Sequence, residues 1–239
     1  MDGWKDLFYK SYVSSGQSIH PDVTIKDLYR PYGKYFIEKF FPKDKNSFIL
    51  DIGCGIGAFL YTAKQLGYYN VEGIDISAEQ IAIANNLGLD YCRQENIFET
   101  IHNMPNNCKD IILLMDVLEH CTRDEIVTIL QQIFRILKKG GILLIHVPNA
   151  EGIFGSKVRY SDFTHEIAFT SKSAHQVLSL VGFSVIKTFE DEPLKHSLLS
   201  TIRLILWRIA TIPFRLLHLI ETGTGSIHLS QNFLIYSQK

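Results

Sequence analysis

Charge of one sign is what this sequence lacks most clearly: 24 lysines and arginines stand against 25 aspartates and glutamates, a formal net charge of −1. No global cationic field exists to gather a phosphate backbone, so nucleic acid is not expected as a partner. Cysteine is scarce as well. Cys54, Cys92, Cys108 and Cys121 have neither C-x-x-C spacing nor the pattern of a disulfide framework, which points to a reducing, cytoplasmic setting. The opening "MDGWKDLFYK" is too charged for a signal peptide. No uninterrupted apolar run reaches the roughly 20 residues of a bilayer crossing. No internal repeat or low-complexity stretch occurs.

What is present is apolar material, 46% of 239 residues, enough for one sizeable core. The expected organisation is a single domain, with an N-terminal helical cap over 1–46, a core over 47–190, a helical insertion over 191–225 and a last strand over 226–239. The cap reads as helices over 3–14 and 25–41, the second stopped by Pro42. Strand and helix patterns then alternate: strand 48–52, helix 57–67, strand 71–75, helix 78–87, strand 89–92, strand 110–115, helix 123–138 and strand 141–147. Helix 171–181, a strand near 183–189 and the closing "QNFLIYSQK" complete the pattern. Nearly continuous apolar strands such as "IILLM" and "ILLIHV" suit a sheet covered on both faces, and the alternation implies parallel pairing, an α/β fold. "KKGG", residues 138–141, reads as a helix end with basic residues and a glycine cap.

Between the first strand and its helix lies "GCGIGA", residues 53–58. Gly53, Gly55 and Gly57 allow close backbone approach to a ligand at a helix N-terminus, and Asp75 ends the next strand, where an acid meets a ribose hydroxyl. A dinucleotide fits that much. Asp51, two residues before the first glycine, discriminates: a carboxylate aimed into the loop repels a pyrophosphate but accommodates a phosphate-free, cationic ligand. S-adenosylmethionine has a sulfonium, an ammonium and an adenosine, and is favoured over NAD.

"LDIGCGIGAFL", "GIDIS", "DVLEH" and "LKKGGILLIHVPN", in that order, resemble the successive motifs of class I S-adenosylmethionine-dependent methyltransferases, over about residues 48–190. The resemblance implies a doubly wound, seven-stranded Rossmann-like sheet whose last strand is antiparallel, with "NFLIYSQK" as that strand. It implies that Asp51, Gly53, Cys54, Gly55 and Gly57 form the methionine-side loop, that Asp75 grips the ribose, and that Ile76 packs on the adenine. Asn96 stands where relatives often carry an aspartate for the adenine amino group, and neighbouring Glu95 is the alternative. Asp116 and Val117 would line the methionine part of the pocket. Glu119 and His120 are read as loop ties in preference to catalytic groups.

The segment "VPNAEGIFGSKVRYSDFTHEIAFTSKS", residues 147–173, leaves the carboxyl end of a strand, the edge where such sheets bind ligands. "RYSDFTHEIAFT" and the earlier "FYKSYVSSGQ" resemble a subgroup of methyltransferases associated with bacterial surface-polysaccharide biosynthesis. That resemblance implies a sugar, glycan or lipid-linked acceptor and methylation of oxygen. A hydroxyl acceptor calls for a base, while the sulfonium leaves as a neutral thioether without acid help. His165 is the expected base, with a lid or helix-start role as the structural alternative. Asp162 is expected to orient it, and Arg159 and Tyr160 to contact the acceptor. No metal is expected, because His120, His146 and His165 lie on separate elements without ligand spacing. A quinone-type small-molecule methyltransferase and a non-catalytic S-adenosylmethionine-binding module are the competing readings.

Between Glu192 and Glu221 there is no acid; Lys195 precedes "LLSTIRLILWRIATIPFRLLHLI", and Arg203, Arg208 and Arg215 interrupt it. Either a pair of helices packs on the sheet with its arginines reaching outward, or residues 194–220 touch an anionic membrane surface peripherally.

Overall fold

The computed structural model describes residues 3–17 and 23–239; parts of the expected cap, residues 1–2 and 18–22, lie outside the described residues. Seven strands form one sheet: β1 (Ile49–Ile52), β2 (Val71–Asp75), β3 (Cys92–Gln94), β4 (Lys109–Met115), β5 (Leu137–Pro148), β6 (Val185–Glu190) and β7 (Asn232–Gln238). Their order is β3-β2-β1-β4-β5-β7-β6. Pairings from β3 to β5 are parallel, and β7 runs antiparallel to both β5 and β6. The expected antiparallel last strand is therefore present, inserted between its neighbours.

Period-two alternation along fully buried strands distributes the core to both faces. Leu50, Ile52, Ile112 and Leu114 pack under α6 (Arg123–Ile136) and α8 (Ser171–Val181). Ile49, Ile111 and Leu113 face the other way, toward α2 (Pro31–Phe40) and α3 (Ala58–Gln65). Both layers leave the carboxyl ends of β1, β2 and β4 at one rim. Gly73 in β2 has no room for a side chain: an added Cβ would lie 2.6 Å from Leu60 Cδ1 and 2.8 Å from Cys54 Sγ. Thus α3 and the loop before it settle directly onto the strand.

Several local expectations are corrected. The helix expected over 25–41 is split into a 3₁₀ turn, Ile25–Leu28, and α2, because Pro31 lacks an N–H and starts a helix more readily than it continues one. "KKGG" does not cap a helix. α6 stops at Ile136, and Leu137, fully buried, turns extended and pairs with Lys109 at the start of β5, so Gly140 at φ 76° serves a bend in the strand. The strand expected over 89–92 lies at β3. Two short helices were not anticipated, α5 (Ile97–Asn103) and α7 (Gly155–Ser161); the helix expected over 3–14 is present but shorter, as α1 (Trp4–Lys10), and α4 (Ala78–Asn86) falls where expected. The insertion consists of α9 (Leu198–Ala210) and α10 (Ile212–Thr222), with Pro213 in the first turn of α10.

Candidate active site

A cavity of about 670 Å³ opens at the carboxyl ends of β1, β2 and β4. Asp51, Gly53, Cys54, Gly55, Asp75, Ile76, Glu95, Asp116 and Val117 line it, joined by Ile97 and Phe98 of α5 and by Lys5, Tyr9, Tyr12 and His120. The parallel register explains why residues 24 positions apart meet here: Asp51 pairs with Gly73, which sets Asp75 beside the glycine loop.

The three glycines perform different tasks. Gly53 has φ 74°, and a Cβ there would sit 2.4 Å from Val117 Cγ2, so its bare backbone keeps the loop against the β4 turn. Gly55 at φ 54° donates its N–H to Asp75 Oδ2 at 2.8 Å. Gly57 does not line the cavity; its missing side chain admits Cys92 Sγ, 2.7 Å from an imagined Cβ. Asp75 also accepts from Ser77 N at 2.8 Å, so it organises the loop as well as facing the ligand. Burial raises its pKa, partly offset by those backbone N–H groups.

Asp51 is 2% exposed, and its Oδ1 has no hydrogen-bond partner. Burial and the charge of Asp75 push its pKa up to about 7. An unpaired buried carboxylate costs free energy until a donor or cation reaches it. This is the environment that an ammonium-bearing, phosphate-free ligand satisfies and a pyrophosphate does not.

Asp116 follows β4 at φ 58°, a left-handed conformation that non-glycine residues adopt at a cost of about 1–3 kcal/mol. Its side chain is open to the cavity, and buried His146 stands behind it with Nδ1 donating to Asp116 Oδ1 at 2.6 Å. His146 Nε2 faces Asp191 Oδ2 at 3.3 Å. Burial alone would lower the imidazole pKa, but the two carboxylates outweigh it and hold His146 well above the ordinary value. Sequence reading left His146 without a role, since Asp191 lies 45 residues away.

On the opposite wall, α1 brings Tyr9 and Tyr12 over the cavity, and the backbone N–H groups of Val13 and Ser14 anchor the following turn on Glu79 Oε2. Tyr29 is 40% exposed and not part of the wall. α1 also grips the 151–170 segment: Phe8 stacks on Phe163 at 5.6 Å, and Lys5 pairs with Glu166 at 2.9 Å.

The remaining expected residues fall around this centre. Asn96 caps α5 by accepting from the N–H groups of Phe98 and Glu99 and does not line the cavity; Glu95 does, while bound to Arg93 and Thr100. Arg159 donates to the Glu166 carbonyl at 2.6 Å and lies over Tyr160, which is 78% exposed; neither lines the cavity. Asp162 is buried, accepts from Thr164 and holds the Tyr12 hydroxyl at 3.4 Å. His165 stands behind His120, ring centroids 4.7 Å apart, and His120 is the one that lines the cavity. Burial, with the neighbouring charge of His165, lowers the His120 pKa to about 4. The 166–167 backbone ties to the Glu119 carbonyl, so the loop-tying role expected of Glu119 falls to its main chain.

A sheet of order 3-2-1-4-5-7-6 with a carboxylate on each of three adjacent strand ends around a glycine loop defines a nucleoside-binding transferase site of the methyltransferase type. Residues 27–188 match a family model described as "Methyltransferase domain", and the chain belongs to that family. Its fold is that of an S-adenosylmethionine-dependent methyltransferase from Archaeoglobus fulgidus, at TM-score 0.68 and 20% identity, covering 99% of this chain and 100% of that one. Phosphoethanolamine N-methyltransferase 2 of Haemonchus contortus, crystallised with S-adenosyl-L-methionine, is similar at TM-score 0.63 and 17% identity over 98% of this chain and 57% of that one. An uncharacterized protein of Methanocaldococcus jannaschii is 26% identical over 186 residues, 77% of this chain and 71% of its own length. Family, fold and the chemistry of Asp51 and Asp75 together make S-adenosylmethionine the cofactor.

Proposed function

We propose that this methyltransferase acts on a hydroxyl of a sugar or glycan intermediate, free or lipid-linked. The observation that carries the reading is the lining of one cavity: beside the carboxylates and apolar groups of the glycine-loop region stand Lys5, Tyr9, Tyr12 and His120. A wall of amine, phenol and imidazole groups supplies the hydrogen bonds a polyhydroxyl acceptor needs; a quinone-type acceptor would want an apolar wall there.

S-adenosylmethionine, when bound, supplies a methyl group on a sulfonium whose departure as a thioether needs no acid. Asp51 and the glycine loop would hold its amino-acid end, Asp75 the ribose, and Ile76, Ile97 and Phe98 the adenine. The chain's own task at the acceptor is to align a hydroxyl and draw off its proton, and the His120–His165 pair is the imidazole group at the cavity, with His120 in its wall. His165 is assigned that work with Asp162 ordering the loop through Thr164; Arg159 and Tyr160 would meet parts of a larger acceptor outside the cavity.

A peripheral membrane contact through 194–220 fits a lipid-linked acceptor on the cytoplasmic face. Leu198, Leu199, Leu206, Leu217 and Ile220 are each more than half exposed on α9 and α10, which favours contact with an apolar or interfacial partner. Headgroup attraction would fall mainly to Lys195 and Arg203, because Arg208 pairs with Glu192 and Arg215 with Glu190. Among the described residues no helix is long and apolar enough to cross a membrane.

The test supplies methyl-labelled S-adenosylmethionine with, separately, the nucleotide-sugar pool and the lipid-linked fraction of a host extract. Label is expected in one of them. Measured donor binding with no label in either would overturn the sugar reading in favour of another acceptor or a non-catalytic binding module. Co-sedimentation with anionic vesicles at low salt is expected for the 194–220 contact, and none at all would refute it.

A further inference from the structure

Three side chains on the acceptor wall converge although only two are adjacent in sequence. One ligand atom from each of Glu119, His120 and His165 lies within 4.8 Å of the other two. Glu119 is 1% exposed, and its Oε2 has no hydrogen-bond partner. An orphaned carboxylate oxygen facing two imidazoles calls for a partner outside the polypeptide.

The proton positions on the two rings follow from their neighbours. The Thr164 hydroxyl donates its single proton to Asp162 Oδ1 at 2.6 Å, so it can only accept from His120 Nδ1, 2.7 Å away. His165 Nδ1 faces the Val158 carbonyl at 3.0 Å, an acceptor, and so carries its proton too. In their neutral forms both histidines therefore keep the Nε2 lone pair for the cluster. Each has its other nitrogen committed to an oxygen partner, the arrangement that orients metal-ligating histidines. Two neutral imidazoles and one carboxylate, with open positions toward a cavity, form a donor set for a divalent transition metal.

We propose that Glu119, His120 and His165 bind a divalent transition-metal ion, of the Zn²⁺, Mn²⁺ or Co²⁺ class, at the acceptor side of the cavity. Metal–ligand bonds of about 2.0–2.2 Å require the ligand atoms to draw together by roughly 1 Å from their present spread, a displacement within reach of side-chain torsions. His120 lines the cavity, so the ion's open position would take an acceptor hydroxyl. The O–H bond then breaks with its proton passing to solvent water, the oxygen's electron pair forms the O–CH₃ bond, and the S–CH₃ pair stays on sulfur. That role rests on the methyl-transfer reading above, whereas the ion site itself does not. With the ion bound His165 is a ligand and water takes the proton; without it His165 is the base assigned above.

The experiment titrates the full chain, stripped with a chelator, with Co²⁺ while its visible absorption is followed, and measures S-adenosylhomocysteine binding by calorimetry on the same samples. One equivalent of Co²⁺ with d–d bands is expected. Thr164→Val, which leaves all three ligands in place, should weaken Co²⁺ about tenfold or more, and His165→Ala should weaken it further. His102→Ala, at an exposed position of α5, should change nothing, and S-adenosylhomocysteine binding should stay within about threefold in every variant. Failure of Co²⁺ to bind, or undiminished binding in His165→Ala, would overturn the site. Methyl transfer undiminished in ion-free protein would refute the ion's part in the reaction and leave the methyl-transfer reading intact, the site itself being decided by the Co²⁺ titration. Bound Co²⁺ without transfer to any hydroxyl would support the site and count against the sugar acceptor.

Discussion

His146 and Asp116 hold each other twice: the imidazole Nδ1 donates to Asp116 Oδ1 at 2.6 Å, and the Asp116 N–H donates to the His146 carbonyl at 3.0 Å. The first bond joins side chains and the second joins β4 to β5. Together they keep Asp116 at φ 58° with its carboxyl group turned to the cavity.

Because the folded state raises the His146 pKa, its contribution is complete below the ordinary imidazole value of about 6.5 and disappears as pH rises through the higher folded value. Asp116 is held below its ordinary value, so its share disappears only as pH falls through that lower value. Melting temperature should therefore decline on the alkaline side. His146→Asn should lose roughly 3 kcal/mol, as expected for breaking a buried pair, and should lose the alkaline decline with it. A variant that keeps the wild-type pH profile would refute the assignment.

Asp51 titrates near 7 in the free protein. A cationic donor favours its ionised form, so donor affinity should rise between pH 6 and 8, by at most about tenfold per pH unit, and then level off. Calorimetry below pH 7 should register proton release as a dependence on buffer ionisation heat. Asp51→Asn should flatten both. Affinity that ignores pH in the wild-type chain would contradict the role given to this carboxylate.

Asp75→Ala should cost both stability and donor affinity, since Gly55 and Ser77 each lose the acceptor of a backbone N–H. Each stranded donor is worth about 1–3 kcal/mol, and a weakening of S-adenosylhomocysteine binding by about tenfold or more is expected. Unchanged affinity in a folded variant would remove Asp75 from the cofactor map.

Gly53→Ala meets two obstacles, a left-handed φ of 74° and a contact of 2.4 Å with Val117 Cγ2. The second can be relieved. Val117→Ala in the same chain should restore part of the lost stability and donor affinity, while the backbone strain of about 1–2 kcal/mol persists. A double-mutant cycle without coupling would show that the two residues do not press on each other.

His165→Ala should lower turnover by about 10²-fold or more while leaving S-adenosylhomocysteine affinity nearly unchanged, because His165 is outside the donor half of the cavity. Wild-type turnover would leave it only a structural part.

The donor half of the site was readable in advance because its residues are local. "LDIGCGIGA" and "GIDIS" each contain a strand, its turn and the functional group at the turn, and parallel pairing of neighbouring strands brings such turns to one rim. The same locality hid Asn96: a helix too short to carry a clear period made its capping role look like a ligand position.

The strands, the glycine loop and the carboxylates of the donor site are thus consequences of short-range pattern, since apolar alternation and turn chemistry act within a few residues, whereas the strand order rests on distant pairings such as Ile49 with Ile111. The acceptor side depends on long-range packing. α1, the β4 turn and the 151–170 loop meet through Phe8 with Phe163, Lys5 with Glu166 and His120 with Thr164, contacts spanning 155, 161 and 44 residues. No periodicity encodes such distances. Folding set His120 at the cavity wall ahead of His165, moved Arg159 and Tyr160 to the outside, and brought Glu119 to both imidazoles, because burying the aromatic seam of α1 ties those elements together.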